Sequence, residues 1–307
     1  MKAPHIPVLL EGVLRAFEPL TTGWFVDATL GYAGHSEAII RAHPSLNLIG
    51  IDRDEEALAF SRRRLEPWAD RITLLRGDFA TQVPRITQRP IVGLLADFGV
   101  SSLQLDRPDR GFGFQSDVLD MRMDQRAPLS AYDVVNSYSR EQLRYLFAEY
   151  GEIRPAGRLA DAIIAARTRT PIRSARALSE LARRTLASRG RIHPATLMFQ
   201  AIRIEVNNEL GQIEQLLDAL ETLRPPGAII ALITFHSLED RLVKRRFKAW
   251  SASCICDPHA LRCTCGNNHS LGTIHPRKPV TASPQELQTN PRSRSAKLRT
   301  FVFKEDS

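Results

Sequence analysis

The chain has 307 residues, 43% of them hydrophobic and 25% charged, which are globular proportions with ample core for one large or two ordinary domains. No apolar run approaches the roughly 18 residues of a membrane span, and Met1 to Leu10 lacks the order of a secretory signal, so no membrane and a cytoplasmic location are expected. The net charge is +8, and Asp240 to Lys304 alone holds 13 Lys and Arg against three acids, a concentration suited to a polyanion such as nucleic acid.

From the N-terminus, an amphipathic helix is expected to run to about Phe17. Trp24-Phe25-Val26-Asp27-Ala28 is a short apolar run ending in turn chemistry. Leu30-Gly31-Tyr32-Ala33-Gly34-His35 and a helical segment from Ser36 to Ala42 follow it. Strand, glycine turn and helix start open a dinucleotide-type βαβ unit, although Ala33 leaves the glycine fingerprint incomplete. A second strand, Leu46 to Ile51, ends at Asp52, where an acid can grip a ribose diol. Glu55 to Leu65 reads as a helix and Ile72 to Leu75 as a third strand. Asp78-Phe79 after that strand could flank a purine, the acid on its amine and the ring in a stack, or Phe79 could simply pack.

Ile91 to Ala96 is a fourth strand, apolar enough for burial on both faces, and it ends at Asp97. The next such strand, Ala228 to Thr234, begins about 130 residues on, far beyond one βαβ crossover of roughly 30 residues. Helical patterns at Arg140–Tyr150, Arg158–Thr168 and Ala175–Ala187 fill the gap, so a helical subdomain is expected there. Glu209 to Leu223 forms a further helix. Ser237 is placed to cap the helix after the fifth strand, with Asp240 at its third position. Leu298 to Phe303 reads as an antiparallel edge strand. The expected fold class is α/β, a Rossmann-like sheet made by 1–107 and 207–307, with an inserted helical domain over 108–206.

Ligands of open α/β sheets bind beyond the carboxyl ends of the strands. Those ends carry the Gly31–His35 turn, Asp52, Asp78-Phe79, Asp97 and Phe235-His236. Asp97 is the most informative of them, since a buried acid followed by Gly99, Ser101 and Ser102 is costly unless used. Cys254, Cys256, Cys263 and Cys265 form Cys-x-Cys, six residues, Cys-x-Cys. This spacing suggests either a zinc knuckle or a reduced, redox-labile loop, and it is not a common zinc-ribbon pattern.

Several separated motifs occur in one order: His5-Ile6-Pro7-Val8-Leu9-Leu10-Glu11, Asp27 through Ser36, Asp97 through Asp106, and Arg110-Gly111-Phe112-Gly113-Phe114. Further along come Leu119 through Asp124, Tyr150-Gly151-Glu152, His193 through Thr196, Phe199 through Ile204, Phe235 through Arg241, and Asn290 through Ser295. Over nearly its whole length the chain resembles the RsmH/MraW family of S-adenosylmethionine-dependent methyltransferases, which modify the exocyclic N4 of one cytidine in bacterial 16S rRNA. Ala33, Phe98 and Leu103 depart from the family's usual glycine, leucine and proline. The resemblance implies a methyltransferase Rossmann sheet with a helical insertion, S-adenosyl-L-methionine as cofactor, and 16S rRNA, within the small ribosomal subunit, as partner.

It further implies that Ala33, Gly34 and His35 line the methionine part of the cofactor. Asp52 would hold the ribose, Phe79 the adenine, and Asp97 and Gln104 would complete the pocket. On that footing Asp97, with Ser101 and Ser102, is the catalytic expectation: Asp97 accepts a hydrogen bond from the N4 amine while the loop presents backbone groups. Phe112, Phe114 or Phe235, beside His236, would stack on an extruded base. Arg203, Arg292, Arg294 and Lys297 would contact phosphates. The competing readings are an amino-methyltransferase acting on DNA or protein, and an RNA-binding assembly factor with a vestigial cofactor pocket. A nicotinamide dehydrogenase is disfavoured because no hydride-transfer acid is evident. The sequence fixes no oligomeric state.

Overall fold

The computed structural model describes residues 6–87, 89–100, 104–105, 107–186, 193, 195–257, 259 and 262–305. The described chain forms two compact units, one running up to Gly99 and resuming at Gly211, the other spanning Val100–Leu210.

The first unit is a mixed sheet with helices on both faces. Its strands are β1 (Gly23–Asp27), β2 (Leu46–Asp52), β3 (Ile72–Arg76), β4 (Ile91–Asp97), β5 (Ile229–Thr234), β6 (Gly272–Ile274), β7 (Val280–Thr281) and β8 (Lys297–Phe303). They lie in the order β3-β2-β1-β4-β5-β8-β6, with β7 also on β8. The first five are parallel and β8 runs antiparallel to β5, so this is a Rossmann-like sheet. Strand alternation sorts its side chains into two cores. Val26, Ile49, Leu94, Ile230 and Leu232 pack with α10 (Glu209–Leu223) and α11 (Ser237–Trp250) on one face. Phe25, Leu48, Leu95, Ala231 and Ile233 pack with α1 (Leu10–Phe17) and α2 (Gly34–Ala42) on the other. Apolar residues at both parities explain why β4 and β5 read as continuous runs, and all six residues of β5 are buried. Between the strands lie α3 (Glu55–Arg64) and the short α4 (Phe79–Gln82).

One expectation is corrected. The strand at the C-terminal side is antiparallel as read, but it is no edge, because β6 and β7 pair along its outer side. Gly272 shows how close that pairing is: a Cβ there would fall 2.0 Å from the Val302 carbonyl oxygen.

The second unit is helical: α5 (Ala131–Ser137), α6 (Arg140–Glu149), α7 (Ala156–Arg169), α8 (Ala175–Thr185) and α9 (Thr196–Asn207). Its local start signals are strong. Ser130 with Asp133, and Ser139 with Gln142, form capping boxes that satisfy the first free amides of α5 and α6. Leu143, Leu146, Phe147, Leu159, Ile163 and Leu178 give it a core of its own. Asn207 sits at the end of α9 and bonds the backbone of Met121 and Met123 at 2.8 Å each, which ties the non-helical 119–124 segment to the bundle. No helix among the described residues is long and apolar enough to cross a membrane.

Candidate active site

Three neighbouring strands of the sheet end in aspartate: Asp27 on β1, Asp52 on β2 and Asp97 on β4. The turn after β1 stitches them together. Asp27 accepts hydrogen bonds from the Thr29 amide (3.2 Å) and the Ser36 hydroxyl (2.6 Å). Thr29 Oγ1 in turn accepts the Asp97 amide at 2.6 Å. On the other side the Gly31 amide donates to Asp52 Oδ2 at 2.7 Å, and the Asp54 amide donates to Oδ1 at 2.8 Å.

Gathering carboxylates at one rim has an electrostatic cost. Burial pushes Asp27 up to about 6, against the opposing bonds from Ser36 and Thr29, and the Asp52 charge raises it further. Burial also raises Asp52. Asp97 is pushed well above the usual carboxylate range, first by burial, then by the charges of Asp27 and Glu239. Asp97 Oδ1 is sealed from solvent and has no hydrogen-bond partner among the described residues. An orphaned buried polar atom costs about 1–3 kcal/mol, so Asp97 is held at this rim at a cost to stability.

The glycine turn is built for close approach. Gly31 has φ +50°, and Ala33 has φ 56° and ψ 30°, a left-handed conformation in which a side chain is strained by about 1–2 kcal/mol. Gly34 opens α2 with no room for a Cβ, which would lie 2.6 Å from Pro7 Cγ. His35 is buried, and its Nε2 lies 2.8 Å from the Val8 carbonyl, fastening the N-terminal segment against α2. Behind the turn, Ser61 Oγ donates to the Gly31 carbonyl (2.7 Å) and Arg64 donates to that of Tyr32 (2.9 Å). After β3, Asp78 caps α4 through the Thr81 amide at 2.9 Å, and the buried Phe79 ring packs 5.8 Å from that of Phe98.

At the end of β5 the structure corrects the capping assignment. The cap of α11 is His236, not Ser237, and the third position is Glu239, not Asp240. Glu239 is fully buried and accepts the amides of Phe235 (2.7 Å) and His236 (3.2 Å). Shifting the box by one residue frees Asp240 to face β8, where it pairs with Lys297 (3.0 Å) and Arg299 (2.7 Å). Lys297, expected at a phosphate, is thus held in an ion pair. Phe235 is half-buried beside the Asp97 loop, 3.5 Å from where a Cβ on Gly99 would stand.

The remaining expected residues are dispersed. Ser101 and Ser102 lie outside the described residues. Gln104 is buried in the helical unit, as is Phe112 in its core. Phe114 stacks on His193 at 4.7 Å and meets Phe199 edge-on at 4.8 Å. Arg203 is gripped by Glu209 through two bonds of 2.8 and 2.9 Å, a structural pair within that unit. Arg292 and Arg294 are exposed on a short turn before β8.

Asp27 and Glu239 were passed over as site residues in the sequence. The signal for Asp27 was available in the repeated pattern of an apolar strand closed by aspartate. Glu239 had none, because an acid three residues into a helix is usually only a cap. Asp52 accepts two backbone amides at the rim, one on each carboxylate oxygen. Acceptors at the ends of β2 and β4 around a glycine turn fit a donor-rich ligand carrying ribose hydroxyls and amines.

Comparison with known proteins agrees with this geometry. The family model of the MraW methylases matches residues 2–304. A protein of Sulfurovum sp. named ribosomal RNA small subunit methyltransferase H is 63% identical over 307 residues, covering 100% of both chains. Its namesake from Nitratiruptor sp. is 58% identical over 306 residues, covering 99% of this chain and 100% of that one. The Campylobacter jejuni namesake is 48% identical over 304 residues, covering 99% and 98%. An incomplete glycine fingerprint, an orphaned carboxylate at the end of β4 and this end-to-end similarity lead to one conclusion: the chain belongs to the MraW methylase family.

Proposed function

We propose that this methylase acts on the exocyclic N4 of one cytidine in 16S rRNA, near the decoding centre and within the small subunit. It works in the cytoplasm, where that substrate is. The observation that carries the reading is the sealed Oδ1 of Asp97, which has no partner among the described residues.

The chain is a small-subunit rRNA methyltransferase and its cofactor is S-adenosyl-L-methionine, which supplies a methyl group on a sulfonium. The Gly31–His35 turn would admit its methionine part, Asp52 would take the ribose hydroxyls, and Phe79 would wall the adenine. Cytosine N4 is a poor nucleophile because its lone pair is delocalised into the ring, so placing it in line supplies much of the rate. Asp97 Oδ1 accepts a hydrogen bond from the N4 amine and takes its proton as the amine becomes positive. A carboxylate already raised by burial, Asp27 and Glu239 holds that proton better than a solvated one. Phe235 would stack on the flipped base; its nearness to the Asp97 loop supports this. The basic segment with Arg292 and Arg294 supplies phosphate contacts.

Asp97→Asn keeps the shape but cannot accept the proton. It should lower turnover on undermethylated small subunits by about 100-fold or more while cofactor affinity changes little. Methyl transfer within a few fold of wild type refutes the role. Running undermethylated subunits, duplex DNA and a peptide pool side by side, with mass spectrometry of the nucleosides, distinguishes the N4-cytidine reading from amino-methylation of another substrate. Failure to bind the cofactor would favour a non-catalytic assembly factor.

A further inference from the structure

After α11 the chain leaves the sheet for a loop that returns at β6, and in it the four cysteine sulfurs come together. All four lie within 4.8 Å of one another. Three of the pairs are resolved more finely: Cys254 to Cys263 at 3.7 Å, Cys263 to Cys265 at 3.6 Å, and Cys265 to Cys254 at 3.7 Å. A disulfide would bring a pair to about 2.05 Å. A tetrahedron of thiolates at about 2.3 Å from zinc has sulfur–sulfur edges of about 3.8 Å. The observed edges fit the second geometry. We propose that Cys254, Cys256, Cys263 and Cys265 bind one zinc ion as a closed four-thiolate site, each thiol giving up its proton to solvent as the ion enters.

The loop is shaped for this. The second Cys-x-Cys limb is followed by two left-handed residues, Gly266 (φ 81°) and Asn267 (φ 56°), which fold the chain back under the sulfurs. The Thr264 amide points at Cys256 Sγ at 3.4 Å, the kind of contact that favours a thiolate. The donor atoms gathered there are the four sulfurs, and neither His259 nor His269 is grouped with them among the described residues. The donor set is therefore sulfur alone, which selects zinc over oxygen-seeking ions. The base of the loop is anchored: the His269 amide bonds the Ser253 carbonyl (2.9 Å) and the Leu271 amide bonds that of Trp250 (2.7 Å) at the end of α11. Above that base the loop has little apolar burial, with Ile255 64% exposed. An ordered loop without a core needs a cross-link, and a metal provides one. The ion would brace the basic stretch between α11 and β8. The proposal is independent of the catalytic reading.

The test uses the full chain, purified reduced from zinc-supplemented medium. Elemental analysis should find about one zinc per chain. Replacement by cobalt should give the intense absorption of tetrahedral thiolate coordination. The double variant Cys254→Ser/Cys263→Ser should lose the zinc while still binding S-adenosylmethionine calorimetrically, which shows that it folds. The wild-type cobalt spectrum decides the matter even if that variant does not. Less than about a tenth of an equivalent of zinc with no cobalt–thiolate bands overturns the proposal. So does zinc retained by the double variant, or two disulfides mapped in the native protein.

Discussion

Replacing Asp27 by asparagine should stabilise the sheet unit, and only at neutral and alkaline pH. Asp27 is 2% exposed, and burial lifts it from 3.8 to about 6. The folded state therefore holds this proton more tightly than the unfolded chain. Stability falls as pH rises from 3.8 to about 6, and the loss is complete above that window and absent below it. A shift of about 2 units at about 1.4 kcal/mol each amounts to about 3 kcal/mol. Asparagine is neutral throughout. Its carbonyl can accept the Thr29 amide, and its amide can donate to Ser36 Oγ. The variant should match wild type near about pH 4 and exceed it by about 3 kcal/mol near about pH 8, or about 6–12 °C in Tm for a unit of this size. Trp24, Trp68 and Trp250 are the three tryptophans and all lie in the sheet unit, so urea titrations followed by their fluorescence read the right part of the chain. A difference that does not change with pH, or a variant less stable at both ends, would refute the electrostatic account. Losing the Asp27 charge should also lower the Asp97 pKa and move the acid limb of the pH–rate profile to lower pH.

Ala33→Gly should relieve the left-handed strain. After the added entropy of the unfolded chain is set against it, a gain of up to about 1 kcal/mol in denaturant unfolding remains, and a loss would contradict the backbone argument. Arg203→Ala leaves Glu209 buried at 6% exposure without its bidentate partner, so thermal unfolding should show a loss of about 3–5 kcal/mol from the helical unit. Arg292→Gln/Arg294→Gln should do the opposite, leaving stability unchanged within about 0.5 kcal/mol. Its log–log salt slope for rRNA binding should drop by about 1 per lost phosphate contact, and an unchanged slope would remove these arginines from the interface.

The parallel strands were legible because burial on both faces forces apolar residues at both parities, as in Ile91–Ala96 and Ile229–Thr234. The insertion was legible as distance, because no single crossover needs so long a connection. What escaped was set by partners remote in sequence. Leu298–Phe303 carries no mark of whether β6 will cover it, since a three-residue strand has no pattern of its own. The cap of α11 was misplaced by one residue because Ser-x-x-Asp outranks His-x-x-Glu on local propensity, while the β8 cations that claim Asp240 lie nearly 60 residues on. Phe112, Phe114 and Arg203 are expected as substrate contacts, and their intramolecular partners were not legible in the sequence. Only tertiary packing reveals that Phe112 lies in the helical core and that Arg203 answers Glu209.

The split sheet also sets a timetable. During synthesis β4 is complete at Asp97, but β5, which pairs with it, begins only at Ile229. At about 5–20 residues per second, those 132 residues take about 7–26 s, and for that time an almost wholly apolar strand has one side bare. The helical unit is contiguous in sequence and can mature during the wait. Until β5 arrives, the nascent sheet carries an open apolar edge, the kind of feature that favours edge-to-edge association.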